Sequence, residues 1–397
     1  MKKVFSLLIA LCLIVGLLPL AALAEEATTP SVYITTKLNN GDADFWADAV
    51  APGAATKYAT TTAEGVVADG TADNWNVKLE YPADGKPTLT LKGATLKAGS
   101  GRYPLHISGN ADLTVVIEAD SSISTANRGG FYNICTGVVT ITGPGKLTVD
   151  STDGNCLHLA GIPADLNAGT TIIKDANLEL NPTGSSTTRA AIAFMGGDVT
   201  IDNSKIAIKG TDGAIGIWGY ASYTKDANGN VTKVSATWKA GVNDTGKRNL
   251  TVQNGSVITC QSTSRQALGA IGTVTIKDST VEAEITHDFG IFDKKPTFEG
   301  NYTAIAGAKK EDAAAYEASK FMSYKYFKIT PAADPAPTEP TTPSEPTTTP
   351  TQPTTPSGGN NNPQTGDTFN VALAAALALS FVATLAVVTV IGKKKAI

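Results

Sequence analysis

Three groups of side chains in this 397-residue chain have the types and spacing that chemistry needs. Gly93, Gly143, Asp175, Asn203, Asn254 and Asp278 fall at one turn position of successive sequence repeats. Carboxylate and amide oxygens in such a row could hold Ca²⁺, the one ion this pattern suggests. The same residue types also accept the left-handed backbone of a tight corner, and glycine brings no side-chain ligand, so the corner reading leads. Arg102, Arg189, Asp212 and Arg265 form a second column, with Arg128 and Asp153 beside it. A mixed-charge row could grip an acidic sugar, but a solvated corner is the stronger reading. Trp218, Tyr220, Tyr223 and Trp238 cluster around an interruption of the repeat. Flat aromatic faces suit the apolar C–H faces of sugar rings; the same rings could instead pack an inserted hairpin onto its scaffold.

Other constellations are weaker. His106 and His158 stand at outward positions two repeats apart, about 10 Å in a stack of strands, too far to share a metal ion. Cys12 leaves with the N-terminal signal described below; Cys135, Cys156 and Cys260 then remain. An odd number cannot make a complete disulfide framework. Cys135 falls at an inward position and reads as core, with a Cys135–Cys156 bridge the lesser alternative. No Cys-x-x-Cys or Cys/His cluster points to zinc. Glycoside hydrolysis needs two carboxylates at a fixed gap, and pectin-type lysis needs grouped Ca²⁺ ligands beside a base. No outward Asp-Asp pair followed by His-Gly and Arg-x-Lys, the polygalacturonase pattern, occurs. No catalytic residue, metal ligand or resident cofactor is therefore assigned.

These residues must be positioned by the stretch 85–296, which repeats one unit about seven times at roughly 25 residues. Each unit holds three short runs. In the clearest they are Asp198-Val-Thr-Ile-Asp202, Lys205-Ile-Ala-Ile-Lys209 and Ala214-Ile-Gly-Ile-Trp218. The first runs include Leu113-Thr-Val115, Val139-Thr-Ile141, Leu250-Thr-Val252 and Val274-Thr-Ile276. The third runs include Leu105-His-Ile107, Asn133-Ile-Cys135, Leu157-His-Leu159, Leu268-Gly-Ala270 and Phe289-Gly-Ile291. Apolar and other residues alternate, the period of a strand with one face inward. Three strands per unit, stacked like on like, predict an all-β fold, a parallel β-helix of about seven coils. An antiparallel sandwich also has short, evenly spaced strands, but not whole repeating triplets.

The rest of the chain dresses this scaffold. Lys2 and Lys3, the apolar run Val4 to Leu20 and Ala22-Leu-Ala24 make a secretory signal over 1–24, cut between Ala24 and Glu25. Residues 25–84 read as an N-terminal cap, with a strand in Asn74 to Tyr81. The interruption, 220–247, reads as a hairpin turning at Asn228-Gly229. Residues 297–330 read as a C-terminal cap, with a short helix over the Ala-rich Lys310 to Lys320. Residues 331–361, rich in Pro, Thr, Ser and Glu, make an extended linker. The formal charge is −4; loss of the signal and the C-terminal tail removes five lysines and one aspartate and takes it to −8. An acidic surface disfavours nucleic acid as a partner.

At the C-terminus Asn362, Pro363, Gln364, Thr365 and Gly366 precede an apolar run, 369–391, long enough to span a bilayer as a helix, and then Lys393 to Lys395. Pentapeptide, span and lysines in this order resemble the cell-wall sorting signal of Gram-positive surface proteins. The resemblance covers 362–397 and differs at its first position, Asn362 in place of the leucine of the LPxTG type. It implies that a sortase cuts between Thr365 and Gly366 and links Thr365 to peptidoglycan, so that membrane contact is transient and the protein ends covalently held on the cell surface. The repeat also resembles right-handed β-helix surface proteins of clostridia and related Firmicutes, some described as carbohydrate-binding. Trp75, Tyr81-Pro-Ala-Asp-Gly-Lys-Pro-Thr-Leu-Thr-Leu91 and Tyr326-Phe-Lys-Ile329 carry that likeness. It implies the right-handed fold and a polysaccharide ligand, without transferring any binding residue. The leading expectation is a wall-anchored protein that binds polysaccharide or acts as an adhesin toward a host or neighbouring cell. A polysaccharide lyase or hydrolase is the alternative, and a structural spacer the third.

Overall fold

The computed structural model describes residues 30–38, 41–99, 101–159, 169–184, 190–194, 197–211, 215–217, 220–225, 231–237, 248–263, 266–270, 272–287 and 290–332. The chain divides into two compact units, Met1–Ala336 and Pro337–Ile397. The signal at 1–24, the linker beyond residue 332, the pentapeptide Asn362 to Gly366 and the span expected at 369–391 lie outside the described residues. No helix among the described residues is long and apolar enough to cross a membrane.

The described fold is all-β, with long parallel sheets and almost no helix. The chain visits three sheets in turn, so each sheet gains a strand per coil and the stack is β-helix-like. One sheet of eleven strands contains, in spatial order, Thr297–Glu299, Val274–Lys277, Leu250–Gln253, Val199–Asp202, Thr171–Lys174, Val139–Thr142, Leu113–Ala119 and Thr88–Lys92 before three further strands at its N-terminal end. A ten-stranded sheet holds the second runs, from Thr95–Ala98 to Thr280–Ile285. A seven-stranded sheet holds the third runs, Leu105–Gly109, Phe131–Asn133, Leu157–Leu159, Ile192–Phe194 and Ile215–Ile217.

Alternation dictates this arrangement. Val115, Ile141, Ile173, Ile201, Val252 and Ile276 pair in register down one interior column, none more than 2 % exposed. Each such side chain contributes about 1.5–3 kcal/mol when fully buried, but only against the coils on either side. The corners satisfy their own polar groups. The Ser204 hydroxyl accepts from the Ala176 amide at 3.1 Å, and the Ser256 hydroxyl accepts from the Ser204 amide at 3.2 Å, so buried serines link successive coils.

Antiparallel strands extend two of the three sheets at the N-terminal end of the parallel stack and one at its C-terminal end. Val77–Glu80 pairs antiparallel with Thr88–Lys92, and Pro30–Leu38 with Leu105–Gly109. At the other end Tyr326–Pro331 pairs antiparallel with Thr280–Ile285 and with Tyr302–Gly307. These strands occupy edges that would otherwise be open to another chain. Tyr220–Lys225 and Val231–Thr237 form a separate antiparallel ribbon where the insertion reads as a hairpin.

Three local expectations are corrected. Phe131, not Asn133, pairs with Leu105, because the larger ring fills the interior and is 2 % exposed. Asn133 then turns inward, where its Oδ1 accepts the Cys135 amide at 2.9 Å. At the last coil Leu268 bridges to Phe292 rather than Phe289, and Phe292 meets Phe327 edge to face at 4.8 Å. The expected helix over 310–320 is absent; Ala314–Ala315 pairs with Ile305 and Ala306, and only Ala318–Lys320 is helical, as one 3₁₀ turn. So short a helix is marginal by itself, and packing of Tyr316 against Phe298 and Phe327 at 5.2 and 5.6 Å overrides it.

Candidate functional site

The outward positions of the seven-stranded sheet bring together residues that are far apart in sequence. Tyr33 pairs with His106, His106 with Tyr132, and Tyr132 with His158, so four rings form one column. Tyr33 stacks on His106 at 4.8 Å between centroids, with 19° between planes. Tyr132 lies 4.9 Å from both His106 and His158, tilted by 41° and 51°. Tyr103, from the corner before the strand, stacks on Tyr132 at 4.0 Å and 11°. Its neighbours hold that corner: Thr35 donates to the Tyr103 carbonyl at 2.8 Å, and Arg102 pairs with Asp44 at 2.6 Å. Arg128 is exposed, with its guanidinium 5.6 Å from the Tyr103 ring centre and Nη1 3.5 Å from the phenol oxygen.

Backbone choice makes the wall close. At Gly129 a Cβ would come within 2.8 Å of the His158 Cβ, so only glycine lets the next coil bring its imidazole in. Beyond His158 the column continues as Ala193 and Gly216, and both faces of Leu157–Leu159 and Ile192–Phe194 are buried.

Electrostatics give this wall a defined chemistry. Burial pushes the His106 imidazole down to about 4, against a smaller opposing effect of Asp44, so the ring is neutral at pH 7. Burial, then the Tyr103 phenol, raises the Tyr132 phenol to about 12, so it keeps its proton. Neither group is poised to exchange a proton near neutrality. What the wall offers is ring edges, phenol hydroxyls and one exposed guanidinium, held rigid by mutual stacking.

The residues singled out from sequence fare differently. Tyr220 and Tyr223 lie on one strand of the ribbon, but their side chains, with Trp218 and Trp238, fall outside the described residues. Gly93, Gly143, Asp175, Asn203, Asn254 and Asp278 all have left-handed φ, from 44° to 124°, as corners require. Their polar atoms are used internally: Asn203 donates to Asp175 at 2.6 Å, and Asn254 to Asp202 at 3.0 Å. Among the described residues no three His, Cys, Asp or Glu side chains converge as a metal site. Of the arginine column, Arg102 is paired with Asp44, while Arg189, Asp212 and Arg265 lie outside the described residues. Cys135, Cys156 and Cys260 are free and buried, so the 135–156 bridge does not form, and burial raises the Cys260 thiol to about 12.

Sequence reasoning missed the wall. It set His106 and His158 apart as two outward histidines and placed Tyr132 out of register. Aligning Phe131 with Leu105 would have put His106, Tyr132 and His158 at one outward position. A smaller aromatic feature lies at the N-terminal end of the eleven-stranded sheet, where Lys78 and Lys92 approach the Trp75 ring at 5.1 and 5.0 Å. Compared with known proteins, the chain matches no family model, no curated protein and no solved structure.

Proposed function

We propose that this chain is a secreted surface protein, anchored to the cell wall through Thr365, whose stack is a right-handed parallel β-helix that binds polysaccharide. The observation that supports binding over catalysis is the outer aromatic wall of Tyr33, Tyr103, His106, Tyr132 and His158 with Arg128 beside it. Its groups are rigid and hydrogen-bonding, and His106 and Tyr132 hold fixed protonation states across the neutral range. Tyrosine and arginine are also the residue types that concentrate binding energy at interfaces. The anchoring half of the proposal rests on the C-terminal signal read from sequence, with sortase and peptidoglycan as the partners it needs. Trp218, Tyr220, Tyr223 and Trp238 form a second candidate surface, proposed from the sequence alone.

The test is binding of the full chain, in detergent, to plant, mucin and bacterial-wall polysaccharides, with and without Ca²⁺, while released sugars are followed. Saturable binding weakened at least about tenfold, about 1.4 kcal/mol, in Tyr103→Ala or Tyr132→Ala places the ligand on the wall. The same loss in Trp218→Ala or Trp238→Ala, with Tyr103→Ala unaffected, moves the site to the ribbon. Release of unsaturated or reducing ends would instead make the protein a lyase or hydrolase.

A further inference from the structure

On the outward face of the eleven-stranded sheet, two columns of side chains run along the stack. The first is neutral: Ile172, Thr200, Thr251, Thr275 and Thr297 follow one another in register. The second, two residues further along each strand, is Lys174, Asp202, Gln253, Lys277 and Glu299. Its signs read plus, minus, neutral, plus, minus. Lys174, Lys277 and Glu299 are exposed and, among the described residues, make no ion pair or hydrogen bond through their side chains. Asp202 only accepts from the neutral amides of Gln253 and Asn254, at 2.9 and 3.0 Å. Among the described residues these four charges close no direct ion pair, although Lys174 and Asp202, and Lys277 and Glu299, carry opposite signs on adjacent rungs.

The order of signs is antisymmetric about Gln253, which is what a two-fold axis requires. Consider an axis lying along Leu250–Gln253, between this face and the same face of a second copy. Rotation reverses the stack direction and leaves the strand direction unchanged. Lys174 then falls opposite Glu299 of the other copy, Asp202 opposite Lys277, and Gln253 opposite itself. The neutral column meets itself with Thr251 at the centre. The flanking corners bring no like charges together: Asp175 falls opposite Gly300, Asn203 opposite Asp278, and Asn254 opposite itself, while on the other side Asp198 falls opposite Thr273. A parallel arrangement reverses the strands: with its axis along the charged column it sets Lys174 on Lys174 and Glu299 on Glu299, and with its axis between the columns it sets each charge on a neutral residue, so only the antiparallel one pairs opposite signs.

We infer that this face is a homophilic contact: it docks on a second copy of the chain with the two stacks antiparallel. Five strands at about 4.8 Å spacing and four residues at about 3.3 Å give a face of about 300 Å² per copy. The pair buries about 600 Å², below the roughly 1,200 Å² of stable complexes. A single contact is therefore weak, and its effect appears where many copies on one surface meet many on another. Antiparallel stacks are the orientation that two such facing surfaces present.

The test uses beads densely coated with the full chain, with clustering followed by light scattering. Wild-type beads cluster, and raising salt from about 0.05 to 1 M disperses them, because the pairs are exposed. Lys174→Glu sets glutamate opposite Glu299 at both symmetry-related positions and abolishes clustering. Adding Glu299→Lys to that variant restores the pair in its own copies, so double-variant beads cluster with each other. In a mixture with differently coloured wild-type beads they segregate, since every such pair is then like on like. Wild-type beads that stay dispersed overturn the inference, as does clustering indifferent to Lys174→Glu or a mixture that co-clusters freely. Loss of polysaccharide binding in Lys174→Glu without any wild-type clustering would assign the face to a glycan and overturn it too. The assay needs neither wall anchoring nor a glycan, so its failure is separate from failure of the proposed function.

Discussion

His106 sits where its imidazole is reluctant to take up a proton: Tyr33 covers one face and Tyr132 lies 4.9 Å away. Its folded value, about 4, is below the ordinary 6.5, so between these two pH values the unfolded chain binds the extra proton. Stability therefore falls as pH drops from about 6.5 to 4, by at most about 3 kcal/mol, and levels off below. Glu282 behaves in the next window down. Lys310 at 2.7 Å, with Tyr326 and Lys328 at 2.9 and 3.1 Å, holds its carboxyl at about 2 against an ordinary 4.5. That contribution is present above about 4.5 and is lost as pH falls toward 2. Urea unfolding at a series of pH values checks both: His106→Phe should flatten the curve between pH 4 and 6.5 and leave the lower limb unchanged. Glu282→Gln should start lower and flatten only the lower limb. A wild-type profile flat down to pH 4 would show that the aromatic column does not bury His106 as described.

Strands and corners carry the next level. Gly143 has φ 124°, and a Cβ there would lie 2.4 Å from the Ile117 carbonyl oxygen of the preceding coil. Backbone cannot retreat as a flexible side chain can, so Gly143→Ala is expected to destabilise by several kcal/mol, beyond the 1–3 kcal/mol of strained φ alone. Asn254→Gly, at a corner with φ 57° and an open surface, should cost about 1 kcal/mol or less. Thermal unfolding of the two variants separates close approach from mere turn chemistry; equal losses would mean that coil spacing there is looser than in this structure. Both kinds of corner were legible in the sequence, because Gly, Asn and Asp recur at one offset and the first runs repeat apolar-Thr-apolar. The third runs were less so. They are three residues long, and a strand that short can slip by two without exposing an apolar face, which is how Asn133 took the place of Phe131. The aromatic wall was hidden by the same slip, and because Tyr33 joins it from an antiparallel strand outside the repeat. The 310–320 segment misled because alanine content speaks only to local propensity, while Tyr316 is fixed by Phe298 and Phe327, with Tyr324 packed on Tyr316 in turn.

At the scale of the stack, stability should be nearly one-dimensional: each coil touches the coils before and after it, and the sequence of any one matters less than its length. Thr171 pairs with Val199, Lys146 with Asn177 and Leu157 with Ile192, so one turn of the chain separates each residue from its neighbour in all three sheets. Removing 170–197 deletes one such turn. Gly169 then leads into Asp198, Val199 takes the place of Thr171 beside Val139, and Ile201 takes that of Ile173 beside Ile141, all of them inward residues. The shortened chain should fold with the same far-ultraviolet spectrum and lose only the interface energy of one coil. Removing 170–183 instead sends every later strand to the wrong sheet and the wrong face, and should leave the chain unfolded or aggregated although it loses fewer residues. Circular dichroism and urea unfolding of the two deletions decide the matter. If the half-turn deletion folds as well as the full-turn one, coil length does not set the register of the stack. The aromatic wall and the charged face should respond in opposite ways to the full-turn deletion. Tyr33, Tyr103, His106, Tyr132 and His158 all remain, so glycan binding should persist. Lys174 is removed, so Glu299 of a second copy has no partner and bead clustering should fall.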